Sequence, residues 1–285
     1  MFTFVSPTNR KFRRIHRYRL DRHRLFLGHQ GSILLLRSRR GKQPRLNTLR
    51  SSTHLSFKEE DFRDGGNLHW LEIADRDRLL RQQALFAAQR GQYTIAISGL
   101  NCLIERNQES AADYNNRGLV HFQCGNWADA LADYNYAIRL DPNLANVYNN
   151  RANYYAAQGD LFAAITDYQT AIELDPQNVR AWINQGITFR ELEMHSPAID
   201  NFIQALEINS SDPDVSNQVL LEAHIHAECG RTHHLFGDWN CAINSYYQAL
   251  DCLQHESQTT TYPPLWWQVD TWLNELLQPT VERRD

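Results

Sequence analysis

A period of 34 residues governs this chain. Blocks 77–110, 111–144, 145–178 and 179–212 follow one another without a gap, and a fifth, 223–256, comes after ten inserted residues. Self-similarity at this period predicts a stacked array of helical hairpins, because one such unit buries its apolar face only against a neighbour. The third block shows the logic. Tyr148, Arg151, Ala152 and Tyr155 recur at helical spacing on one face. Gln158-Gly159-Asp160 then breaks the helix, with Gly159 free to take the left-handed conformation. Ala164, Ile165, Tyr168, Ala171, Ile172 and Leu174 restart the period, and Asp175-Pro176 closes the unit.

The same skeleton reads Tyr114, Gly118, His121, Gly125, Ala130, Tyr134, Ala137, Pro142 in the second block and Trp182, Gly186, Phe189, Ala198, Phe202, Ala205 in the fourth. Small residues fall where two helices approach closely, and aromatics fill the space between hairpins. The first block (Leu80, Ala84, Ala87, Ala96, Leu100, Leu103) and the fifth (His226, Gly230, His233, Ala242, Tyr246, Ala249) are degenerate, as terminal units are. The fourth has Ser210 in place of its closing proline and meets Pro213 where the insertion begins, which leaves its stacking on the fifth open.

These residues resemble the tetratricopeptide repeat family over about two thirds of the chain. The resemblance implies an all-α solenoid of five hairpins (residues 77–256), a lead-in at 58–76, and a linker with a capping helix at 257–285. The Asn/Gln/Tyr-rich wording of the blocks is similar to cyanobacterial members, which would place the partner in assembly of a membrane or photosynthetic complex.

The net charge of −4 conceals a split. Residues 1–57 hold fourteen Lys and Arg against one acid, Asp21, for +13; the other 228 residues hold fifteen bases against thirty-two acids, for −17. Segments so different do different things. The basic segment, with Arg13-Arg14 and Arg39-Arg40 among Phe12, Tyr18 and Phe26, reads as a disordered tail, a plastid transit leader, or an arm that grips nucleic-acid phosphates. A capping box at Ser56 and Glu59, a stop at Gly65-Gly66, and Leu68, Leu71 and Ile73 lead into the first repeat.

No apolar run approaches the ~18 residues of a membrane span, and mean hydropathy of −0.57 marks a soluble chain. Five scattered cysteines predict free thiols in a reducing, cytoplasmic setting.

In the family, the first helix of each hairpin lines a concave surface that holds peptides. The groove positions this implies are Arg78, Arg81, Asn115, Asn149, Asn153, Arg180, Arg190 and Arg231. Amides can hold a peptide backbone and guanidiniums a carboxylate, so an extended acidic or C-terminal peptide is the expected partner. Arg117 and Arg151 stand apart: each lies sixteen residues before an aspartate, Asp133 or Asp167, and is expected to form an internal ion pair.

His226, Cys229 and His233 share a helical face in the fifth block, with Cys241 on the partner helix. They are zinc-ligand types, yet they occupy packing positions, so core side chains are expected instead. Asp129, Asp133, Asp160, Asp167 and Asp200 show no converging carboxylate pair, and neither a phosphate loop nor a nucleophile elbow is present. The expected function is a non-catalytic adaptor without a cofactor. In the last segment Trp266, Val269, Leu273 and Leu276 form a capping stripe, with Trp267 off it.

Overall fold

The structure, a computed structural model, describes residues 73–210, 215–256 and 264–277. The basic segment 1–57, the Ser56–Glu59 box, Gly65-Gly66 and the leucines at 68 and 71 lie outside these. The described residues form helices and no strand: α1 (Ile73–Gln89), α2 (Tyr93–Arg106), α3 (Ala111–Gln123), α4 (Trp127–Leu140), α5 (Ala145–Gln158), α6 (Leu161–Leu174), α7 (Val179–Glu191), α8 (His195–Ser210), α9 (Val215–Phe236), α10 (Trp239–Glu256) and α11 (Pro264–Leu277). Helices α1 to α10 pair as five consecutive hairpins, and α11 packs on the last.

One turn geometry closes all five hairpins. Gly91, Gly125, Gly159 and Gly237 adopt φ between +74° and +87°, and Glu193 at the same register adopts +61°. The residue after each donates its backbone N–H to the carbonyl five positions back: Gln92 to Ala87, Asn126 to His121, Asp160 to Tyr155, Met194 to Phe189 and Asp238 to His233, all at 2.8–2.9 Å. This arrangement satisfies carbonyls that the helix end leaves without partners. Glutamate in the left-handed region is strained by its Cβ, which glycine lacks. Glu193→Gly is therefore expected to stabilise the fourth hairpin by about 1 kcal/mol, read as a higher denaturant midpoint.

Within hairpins, a small residue on the first helix faces a large buried side chain on the second. A Cβ added at Gly118 would lie 2.8 Å from the Tyr134 ring, at Gly186 2.9 Å from Phe202, and at Gly230 2.7 Å from Tyr246. All three rings are fully buried, as is Tyr168. Each contributes roughly 2–3 kcal/mol through area removed from water.

Polar contacts tie one hairpin to the next. Arg117 donates twice to its own hairpin's Asp133 and once to Asn101 of the preceding one; Arg151 repeats this with Asp167 and Asn135. The pairing expected of these two arginines is what the structure shows, with the asparagines added.

The fifth hairpin differs. Most of the inserted residues are helical: α9 starts at Val215, eight residues ahead of the block, and runs for 22. Asn209 of α8 and Gln218 of α9 exchange side-chain-to-carbonyl hydrogen bonds at 3.1 and 2.9 Å, fastening the extension to the fourth hairpin. At the far end Val269 and Leu273 of α11 are buried against Ala227, Ala242, Tyr246 and Leu250, with Trp266 and Leu276 packed beside them, while Trp267 is exposed. The capping stripe is as the sequence predicts.

Candidate interaction groove

Successive first helices touch one another (α1 with α3, α3 with α5, α5 with α7, α7 with α9), whereas successive second helices make no comparable contact. The first helices therefore form the inner wall of the curved stack. An amide ladder runs along that wall. Asn150 of α5 donates to Asn115 Oδ1 of α3 at 2.9 Å. Asn184 of α7 donates to Asn149 and Asn153 of α5 at 3.3 and 3.1 Å, and Asn153 Oδ1 also accepts from the Tyr168 hydroxyl at 2.6 Å. The three asparagines expected from sequence thus each accept from an asparagine of the following hairpin, a repeated pairing in two separate sets. Asn150 and Asn184, the donors, stand 34 residues apart, a spacing that would have identified them.

The arginines divide. Arg180 lies on α7 one turn before Asn184 and so shares its face. Its Nε is buried without a hydrogen-bond partner, and burial pushes its guanidinium below the ordinary arginine range. Arg81 donates through two nitrogens to the buried carboxylate of Asp113, and Arg78 is exposed beside Asp75.

Like Arg81, two further expected groove residues are engaged in structural contacts. Arg190 is 8% exposed and donates to the Glu228 carboxylate of α9 at 2.6 Å, which joins the fourth hairpin to the fifth. Arg231 lies over the Trp272 ring and 3.7 Å from Glu275, so it holds the capping helix.

The four zinc candidates are not brought together as a set. His226 sits 3.8 Å from Glu222, and Cys229 is buried, its thiol pushed up to about 11 by loss of water. His233 and Cys241 do converge, with Asp238 as a third neighbour that sequence reading did not select. Cys241 is exposed rather than in the core. The five cysteines form no disulfide.

The sequence matches the TPR repeat family over residues 118–159 and the tetratricopeptide repeat family over 143–211. Residues 118–211 are thus tetratricopeptide repeats. No curated protein matches the sequence. Solved structures share the tetratricopeptide fold. MamA aligns with a TM-score of 0.51 at 16% identity, over 67% of this chain and 100% of its own. TTC0263, a thermophilic TPR protein of Thermus thermophilus, gives 0.56 at 14%, over 69% and 98%. The Cut9–Hcn1 hetero-tetramer of the APC/C gives 0.56 at 19%, over 72% and 40%. At such identities the likeness concerns the fold. No described helix of the array is long and apolar enough to cross a membrane.

Proposed function

We propose that this protein is a non-catalytic scaffold that holds an extended segment of a partner protein against the inner wall of α3, α5 and α7. The repeat content supports a protein-interaction scaffold in general, and Cut9–Hcn1 is one such fold inside an assembly. The groove assignment is carried by one observation: Arg180 Nε is a buried donor without a partner, on the same helix face as the Asn184 amide. A carboxylate of the partner, from an acidic side chain or a chain terminus, satisfies such a guanidinium through charge-assisted hydrogen bonds, and asparagine amides pair with the flanking peptide backbone.

The test is selection of peptides from a random library on the array, in acidic C-terminal and amidated forms, followed by titration of the selected sequence. Loss of the carboxylate, or Arg180→Ala, is expected to weaken binding about 10–100-fold, the effect of removing one hydrogen bond to a charged group, with the helical signal intact. Equal affinity for Arg180→Ala would remove the groove assignment. Arg190 does not belong in that experiment, because its removal strands Glu228. The +13 segment 1–57 supports a second reading, an arm for nucleic acid, which predicts salt-sensitive binding abolished by deleting those residues.

A further inference from the structure

We infer that the turn of the fifth hairpin is a zinc-class metal site formed by His233, Asp238 and Cys241. One ligand atom from each lies within 4.8 Å of the others. His233 closes α9, Asp238 precedes α10, and Cys241 stands in the first turn of α10, so nine residues of chain supply all three donors. His233 Nδ1 is 3.6 Å from Asp238 Oδ2, the separation of two ligands on a tetrahedral ion with bonds of about 2.0–2.3 Å. That nitrogen is buried and has no hydrogen-bond partner among the described residues. Cys241 is open to solvent, which leaves room for a water as fourth ligand.

The backbone of the turn does not require these side chains. All five hairpins close with the same hydrogen bond, at 2.8–2.9 Å, and none of the other four carries this set of three residues, although His121 and Asp160 each match one position. The other four sets are Ala87, Gln92 and Ile95; His121, Asn126 and Asp129; Tyr155, Asp160 and Ala163; Phe189, Met194 and Pro197. Only the fifth turn combines imidazole, carboxylate and thiol. Asp238 also has the ordinary work of a helix cap, accepting the Cys241 N–H at 3.3 Å, and that bond fixes the carboxylate beside the thiol.

Donor chemistry selects the ion. Thiolate with imidazole favours a borderline-soft divalent metal, zinc or its cobalt(II) surrogate, over magnesium or calcium, which take all-oxygen shells. Binding releases the Cys241 proton, since the thiolate is the ligand. Metal here would lock α9 to α10 and rigidify the end of the array that the capping helix covers.

The experiment is titration of the reduced, metal-free full-length chain with cobalt(II), reading the thiolate-to-cobalt absorption band and its displacement by zinc. One equivalent is expected to develop the band. His233→Phe, Asp238→Asn and Cys241→Ala install residues that the fourth, second and third turns already carry, so each variant retains the turn. Cys241→Ala should abolish the band. The other two should weaken zinc by more than about 100-fold, the upper end of what loss of an outer-shell partner costs. Cys229→Ala and His226→Ala should leave it unchanged. No thiolate band in the unaltered chain, a band that survives Cys241→Ala, or one lost with Cys229→Ala would each overturn the assignment.

Discussion

Arg190→Ala is expected to destabilise the junction of the fourth and fifth hairpins by about 3–5 kcal/mol, the cost of leaving one member of a buried ion pair alone. Arg190 Nη1 donates to Glu228 Oε2 at 2.6 Å and to the Glu228 carbonyl at 3.2 Å, with both residues below a tenth exposed. Repeat arrays unfold by neighbouring units, so the loss should be local. Amide exchange is the suitable measurement: α9, α10 and α11 should exchange faster while α1 to α6 keep their protection. Uniform acceleration along the array would contradict this division. Arg190→Met with Glu228→Leu should recover most of the loss, because a packed apolar pair removes both desolvated charges.

The same pair sets a pH dependence. Burial alone would raise the Glu228 carboxyl, but the charges of Arg190, His224 and Arg231 outweigh it, and the group lies below its ordinary range. A carboxylate depressed in the folded state contributes stability above its unfolded pKa and loses that contribution as pH falls through the folded value. Protection of α9–α11 in the unaltered protein should therefore decline below about pH 4. In Arg190→Ala the largest of the lowering charges is gone and Glu228 gains a proton more readily. The gap between variant and parent should narrow as pH falls.

How much of this was readable beforehand follows from periodicity. Side chains that repeat at 34 residues announced their contacts: the glycine-closed turns, the small-against-large pairs, and Arg117 and Arg151 with their aspartates. Each depends on one hairpin and its register. Arg190 and Arg231 depend on something else, the placement of the fifth hairpin and of α11, which follow a non-repeating insertion and linker. Arg231 stands at the repeat register of Asn153 on the inner wall, whereas Arg190 stands at that of the buried Ala88, Phe122 and Ala156. Their partners, Glu228 and Glu275, come from elements whose positions no period specifies. Asn209 and Gln218 were opaque for the same reason. Asp238 carries no signal in the sequence, because a helix-cap aspartate is ordinary; only its neighbours in space make it a metal-ligand candidate. The amide ladder lies between these cases, since Asn115 and Asn149 were visible at the repeat spacing, and Asn150 and Asn184 are too once the adjacent register is compared.

Gly118→Leu is expected to destabilise the second hairpin by about 3 kcal/mol, the upper part of the usual range for overpacking. The first added carbon would already meet Tyr134 ring carbons at 2.8 and 2.9 Å and the Ala130 carbonyl at 3.2 Å. Tyr134 is fully buried, so its ring has no solvent-facing position to adopt, and the carbonyl belongs to a helix backbone. Alanine at 118 is a different case. Its methyl carbon at 2.8 Å still requires the Tyr134 ring or its helix to shift, and about 1 kcal/mol of helix propensity gained over glycine offsets part of that cost, so the loss should be smaller than for leucine. The third hairpin holds Ala152 at this register with Tyr168 opposite, both fully buried, which shows that a methyl group can be fitted there. The first hairpin pairs Ala84 with Leu100. Combining Gly118→Ala with Tyr134→Leu reproduces that pair, and its cost should fall below the sum of the single changes, as expected for side chains in contact. A melting temperature unchanged by Gly118→Leu would mean that α3 and α4 do not meet at this glycine, and the same register at Gly186 and Gly230 would fall with it.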